Sequence, residues 1–280
     1  MRTLNSPSSP AHRGRGVPCD RAALGVPQYK ACCSHSVQCV AKFLVQAFAV
    51  PASTMAKDMT LYWASGSPPC WRVMIVLAEK NLQGYNSKLV SFEKGEHKSE
   101  EIMKLNPRGQ VPTFKHGDVI VNESIGACMY LENCFTSQGT QLLPAAPAEQ
   151  ALVLQRVFET QTLQFAMRDA LFYERFTPEG ERHESALKRN KENLTKELKL
   201  WESYLQKMDS GSYLAGRTFS MADAVCFPVI AFFSRFGLSE ERYPRLMAYY
   251  QMVKDRPSII STWPPHWLEN PQGQDMLKDL

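Results

Sequence analysis

The chain is predicted to fold as an α/β unit followed by an all-α unit, and three observations carry that prediction. From Thr60 onward short apolar strands alternate with amphipathic helices, whereas after about residue 147 every periodic segment has helical spacing. Between the two, Thr136 to Pro147 holds Gly139, Pro144 and Pro147 and has the composition of a linker. Ordinary domain sizes also divide 280 residues into about two units. The expected boundaries are 1–54 for a disordered basic extension, 55–136 for the α/β domain, 137–146 for the linker and 147–280 for the all-helical domain.

Within the α/β unit, Thr60 to Ala64 reads as a strand, Cys70 to Asn81 as a helix and Lys88 to Phe92 as a second, parallel strand. Thr113 to Lys115 and Val119 to Val121 flank His116-Gly117-Asp118, a compact hairpin signal. A further helix runs from Ser124 to about Phe135. In the helical unit Phe158, Phe165 and Phe172 recur every seven residues and Phe176 follows at four, which aligns four rings on one helix face. Leu187, Leu194, Leu198, Trp201 and Leu205 repeat the pattern. Ser220-Met221-Ala222-Asp223 is a capping box, in which hydroxyl and carboxylate satisfy backbone donors at a helix start. Pro228 follows inside that helix, where a missing donor should bend it.

Hydrophobic residues at 44% and charged ones at 21% are those of a soluble globular protein able to bury a large core. The net charge of +4 is not spread evenly. Residues 1–54 hold six Lys and Arg against the single acid Asp20, and the remaining 226 residues carry 26 basic and 27 acidic side chains. A neutral body with a basic tail argues against nucleic-acid and membrane partners. The longest apolar run of the tail, Phe43 to Val50, is far short of the roughly 20 residues a membrane span needs, and it starts too late for a signal peptide. The acid-poor start fits a transit peptide loosely, but four prolines interrupt the helix such peptides form. Cys70, Cys128, Cys134 and Cys226 are scattered through the body without a CxxC pair, which suits a reduced cytoplasmic setting. The cluster of Cys32, Cys33, His35 and Cys39 lacks the paired spacing of a zinc module, so no metal is expected.

The chemistry concentrates in three segments. Leu61 to Arg72, LYWASGSPPCWR, places hydroxyls and a thiol at a strand-to-helix turn. Asn106 to Phe114, NPRGQVPTF, carries a Val-Pro pair into a strand, and Asn122-Glu123-Ser124 opens the next helix with a carboxylate and a hydroxyl. Taken as a set these segments resemble the glutathione transferase family, and the resemblance runs from about Met55 almost to Leu280. Gly95-Glu96-His97-Lys98 with the Asn106-Pro107 and Gly109-Gln110-Val111-Pro112 runs is similar to the phi class. Gly66-Ser67-Pro68-Pro69-Cys70 is similar to the serine-type delta and theta classes. The mixture most resembles the rho class.

That resemblance implies a thioredoxin-like glutathione-binding domain followed by an all-helical C-terminal domain, joined in a cytosolic homodimer. The implied activity is conjugation of the glutathione thiolate to small hydrophobic electrophiles, with glutathione as co-substrate and no cofactor. A free thiol is mostly protonated at neutral pH, so the enzyme must stabilise the thiolate. Ser67, just before the helix, offers a hydroxyl donor beside the positive end of a helix dipole. Ser65 is the backup, Tyr62 occupies the position used by tyrosine-type members, and Arg72 reads as a brace. His97 and Lys98 would reach the glycine carboxylate, Val111-Pro112 the cysteinyl backbone, Gln110 the γ-glutamyl or cysteinyl portion, and Glu123 and Ser124 the γ-glutamyl end. The resemblance also implies a cis bond before Pro112. Phe165, Phe172 and Phe176, with Trp63 and Trp267, are the candidates for the electrophile pocket, although such a stripe is more often core. Two other functions are weighed: a non-catalytic ligand-binding or scaffold protein of this fold, and a thioltransferase acting through Cys70.

Overall fold

The computed structural model describes residues 56–271 and 273–280, so the expectations for the tail lie outside the described residues. Strand β1 (Met59–Trp63), almost wholly buried, leads through the Ser65–Ser67 turn into helix α1 (Pro68–Glu79). Pro68 and Pro69 occupy the first helical positions, where a missing N–H costs nothing and a fixed φ favours the helix. Strand β2 (Asn86–Leu89), the short helix α2 (Glu100–Leu105), the hairpin strands β3 (Thr113–His116) and β4 (Val119–Val121) and helix α3 (Ser124–Cys134) complete the α/β part.

The sheet order is β2-β1-β3-β4, with β2 parallel to β1 and the other two pairs antiparallel. Pairing fixes what lies beside what. Trp63 of β1 stands opposite Leu89 of β2, Tyr62 opposite Thr113 of β3, and Phe114 opposite Val121 of β4. The segments that follow β1, β2 and β4 and that precede β3 therefore emerge at one end of the sheet. These are the Ser65–Ser67 turn, the loop to Lys98, Gln110–Pro112 and Asn122–Ser124.

The second strand lies lower in sequence than the Lys88–Phe92 expected, because β2 is an exposed edge strand whose position is set by pairing rather than by an apolar pattern. Helix limits shift by two residues at each end of α1 and by one at the end of α3.

The helical part comprises α4 (Pro147–Leu171), α5 (Tyr173–Phe176), α6 (Glu184–Gln206), α7 (Met221–Arg235), α8 (Pro244–Lys254), α9 (Pro257–Ser261) and α10 (Pro265–Glu269). Helix α7 is buried from Met221 through Phe233, as a helix apolar on every side must be, and it packs against α4, α8 and α1. It runs unbroken through Pro228. The capping carboxylate of Asp223 accepts from the Ser220 N–H at 2.9 Å, the Leu214 N–H at 3.0 Å and the Tyr249 hydroxyl at 3.0 Å.

The joining segment is clamped. Lys80 and Glu132 form a buried ion pair at 2.5 Å, and Glu132 also accepts from the backbone of Leu142 and Leu143. Gly139 has φ +63° and touches the Glu79 carbonyl so closely that a Cβ would sit 2.0 Å from it. These contacts fix the segment between α3 and α4.

Candidate functional site

Ser67 is the N-cap of α1 with extended backbone (φ −80°, ψ 113°), and its side chain makes no capping bond to the helix. Its hydroxyl faces the Cys70 thiol, a weak acceptor that a thiolate displaces readily. Cys70 itself is fully buried and donates nothing to solvent; burial pushes its thiol up to about 11, so it is protonated at neutral pH. The two other candidates for thiol activation are already committed. Tyr62 donates to a Glu101 carboxylate oxygen at 2.6 Å, and burial followed by Glu101 raises its phenol above the ordinary range. Ser65 Oγ lies 2.5 Å from Nδ1 of His266, a residue 201 positions away in α10.

Gln110 and Val111-Pro112 enter β3 with a cis bond before Pro112, as the resemblance implies. The loop is braced from behind: Asn106 donates its side-chain amide to the Gln110 carbonyl at 2.8 Å, and the Thr113 hydroxyl donates to the same oxygen at 3.1 Å. Among the described residues neither the N–H nor the C=O of Val111 has a backbone partner, which leaves both for an extended ligand. Gly109, at φ +58°, lies against Lys98 and the His97 carbonyl, which brings the His97–Lys98 turn to this loop. His97 stacks edge-on against Phe92 at 5.0 Å. Burial, with Lys98 and Arg175 nearby, holds its imidazole below the ordinary value of 6.5.

At the remaining corner Glu123 is the exposed N-cap of α3 and Ser124 its buried first residue. Behind them lies Arg72. Its buried guanidinium donates to Ser124 Oγ at 3.3 Å, to the Val225 carbonyl at 2.8 Å, to Gln161 at 3.1 Å and to Gln164 at 2.5 Å. Burial lowers its pKa to about 10, so it stays charged at neutral pH. Arg72 is thus a brace, and one that joins the α3 corner to α4 and α7.

Of the four rings in the aromatic stripe, Phe172 alone packs against the core. Phe158, Phe165 and Phe176 are 64%, 49% and 63% exposed, because α4 turns Val153, Val157, Leu163 and Met167 inward instead. Phe172 is half-buried against Phe232 at 5.8 Å. Arg168 lies over the rings of Phe165 and Phe176, and Arg175 of α5 lies over Phe92, so this face meets the loop after β2. Phe165 also lines an open groove whose other side chains include Asp169, Asn193 and Glu197. Trp63 donates to Ser87 at 2.8 Å, and Trp267 is buried among Trp71, Trp263 and Phe232. Among the described residues no cluster of His, Cys, Asp and Glu could hold a metal ion, and no helix is long and apolar enough to cross a membrane. His266 and the glutamines facing Arg72 were not singled out in the sequence; only the Pro264-Pro265 pair marks the helix start before His266.

Comparison with known proteins agrees with this geometry. Family models match at residues 66–134, the glutathione S-transferase N-terminal domain, and at residues 166–263, the glutathione S-transferase C-terminal domain. Glutathione S-transferase A of Pleuronectes platessa is 66% identical over 226 residues, which is 81% of this chain and 100% of that protein. A glutathione S-transferase from the Antarctic clam Laternula elliptica, solved as a crystal structure, superposes with a TM-score of 0.70 at 43% identity over 79% of this chain and 99% of that one. A glutathione transferase of Phanerochaete chrysosporium, solved with oxidized glutathione, does so with a TM-score of 0.65 at 27% identity over 78% and 98%. With a thioredoxin-like N-terminal domain, a helical C-terminal domain and this degree of identity, the chain belongs to the glutathione transferase family and is a glutathione transferase.

Proposed function

We propose that the chain conjugates the glutathione thiolate to small hydrophobic electrophiles, with Ser67 as the group that activates the sulfur. The observation that carries this reading is the state of the three hydroxyls near the turn: Tyr62 is spent on Glu101 and Ser65 on His266, whereas Ser67 faces only a protonated thiol. A hydrogen bond from a hydroxyl to a thiolate is worth about 1.5–3 kcal/mol, which lowers a thiol pKa by roughly one to two units. The start of α1 adds its dipole.

In the same reading Val111 pairs with the cysteinyl backbone, Gln110 assists, Glu123 meets the γ-glutamyl ammonium and Ser124 with the α3 N-terminus receives its carboxylate. His97 and Lys98 receive the glycine carboxylate. Phe165, Phe172 and Phe176 flank the electrophile, supported by the exposure of apolar rings beside the glycine end of the site. The motif mixture supports membership of the rho class, and the family supports a cytoplasmic homodimer whose exposed Phe158 and Leu152 a second copy would cover. The thioltransferase alternative loses its nucleophile, since Cys70 is buried and protonated.

The test is glutathione conjugation of a chloronitrobenzene, with ultraviolet titration of the bound thiolate in the natural protein and in Ser67→Ala. A turnover loss of about ten- to a hundredfold with a raised thiol pKa is expected. Coincident titration curves would remove Ser67 from the mechanism.

A further inference from the structure

Neither glutathione binding nor the electrophile pocket accounts for the contact between His266 and the Ser65–Gly66–Ser67 turn. It comes from an anchored segment. Trp267 packs edge-on against Trp71 of α1 at 5.6 Å and against Trp263 at 5.9 Å, under the guanidinium of Arg235 at 5.1 Å. Arg235 also donates to the Asn270 carbonyl at 2.7 Å, just past the end of α10. His266 is therefore held at both sides, and its ring lies over Gly66.

At Gly66 φ is +73°, and a Cβ would stand 2.4 Å from Cε1 of His266, so both conformation and space call for glycine. Glycine is also the freest joint in the chain. Strand β1 fixes the residues before the turn and Pro68-Pro69 stiffen those after it, which leaves the Gly66 backbone as the joint to be held from outside. Ser65 supplies the hold. Its Oγ lies 2.5 Å from Nδ1 of His266 and 3.5 Å from the His266 backbone N–H. The oxygen accepts from that N–H, burial favours the neutral imidazole, and the pair closes when the hydroxyl proton goes to Nδ1 of the Nε2–H tautomer.

We propose that His266 is a positioning residue of the transferase reaction: by holding Ser65 and covering Gly66 it fixes the turn that presents the Ser67 hydroxyl to the glutathione sulfur. The proposal rests on the Ser67 reading above. It makes the C-terminal segment of the helical domain a working part of the thiol site, at a distance from the peptide-binding residues.

Steady-state kinetics with a chloronitrobenzene and ultraviolet titration of the bound thiolate test it. His266→Ala is expected to raise the apparent pKa of the bound thiol and to lower kcat at neutral pH by about five- to tenfold, with the glutathione KM within about twofold. His266→Asn keeps an acceptor near the Nδ1 position and should recover most of the loss, which mere filling of space would not explain. Ser65→Ala should reproduce the loss, and the double variant should lose no more than either single one. An unmoved titration and kcat in His266→Ala, a failure of His266→Asn to recover, or additive losses would each overturn the proposal. If His266→Ala does not fold, His266→Asn and Ser65→Ala decide: a normal thiolate curve in Ser65→Ala overturns it. Ser67→Ala separates this idea from its basis. A flat Ser67→Ala curve beside shifted Ser65 and His266 curves would overturn both, since the pair would then act on the sulfur itself.

Discussion

The proposed site has two corners that would receive an anion, each at a helix start, and they are backed differently. Behind Ser124 at the start of α3 stands the buried charge of Arg72. In contact with Ser67 at the start of α1 stand neutral dipoles, the Cys70 thiol on one side and, through the turn, the Ser65–His266 pair on the other, while the Arg72 charge is felt there only through space, at the Cys70 thiol. In the proposed reading the difference matches what each corner would handle. A γ-glutamyl carboxylate is charged at every working pH, so a fixed cation nearby helps it throughout. A sulfur that arrives as thiol and reacts as thiolate is better served by hydroxyl and helix dipoles, which favour the anion without committing a full charge to an empty site.

The comparison can be broken most severely at Arg72. Arg72→Ala would strip the Val225 carbonyl, Gln161, Gln164 and Ser124 of their shared donor at once, and a loss of about 3 kcal/mol or more in unfolding free energy is expected. Denaturant midpoints check this, and a change below about 1 kcal/mol would show that the guanidinium is replaceable by water. Next in size is the turnover loss of Ser67→Ala, whose partial return at higher pH, as the thiolate forms unaided, would sharpen the contrast.

Smaller still is the effect of Glu123→Ala or Ser124→Ala. In the proposed reading both meet a part of glutathione remote from the reacting bond, so the expected change is about a tenfold rise in KM with kcat nearly kept. Equal loss in kcat would mean that the two corners are coupled. The smallest effect concerns pH. His97 is held below 6.5 in the free site, so it is neutral at pH 7, and the glycine carboxylate proposed to lie beside it would favour its protonated form. Glutathione binding should then take up a proton, and affinity should rise modestly as pH falls from 7 towards 5.5, an effect absent in His97→Asn. A flat profile in the unaltered protein would place His97 away from the carboxylate.

Much of this was legible in the chain. The order of strands and helices, the hairpin at His116-Gly117-Asp118 and the capping box at Ser220 are local patterns, set by turn chemistry and by side chains three or four residues apart. The entry of Val111-Pro112 into β3 and the helix start at Glu123-Ser124 were legible for the same reason, because each is set by neighbours close in sequence. The phenylalanine heptad left core and pocket both open, since α4 has apolar residues on two faces and periodicity does not say which one a neighbouring helix will cover. The edge strand β2 was displaced because nothing buried marks it.

By itself, then, the sequence determined the two-part fold, the family and the turn that carries Ser67, since these follow from patterns spanning a few residues. Only the tertiary structure decided which hydroxyl of LYWASGSPPCWR is free, because Tyr62 is claimed by Glu101, 39 residues on, and Ser65 by His266, 201 residues on. A hydroxyl has one proton to give, and where that proton goes depends on which acceptor the folded chain brings within hydrogen-bonding distance.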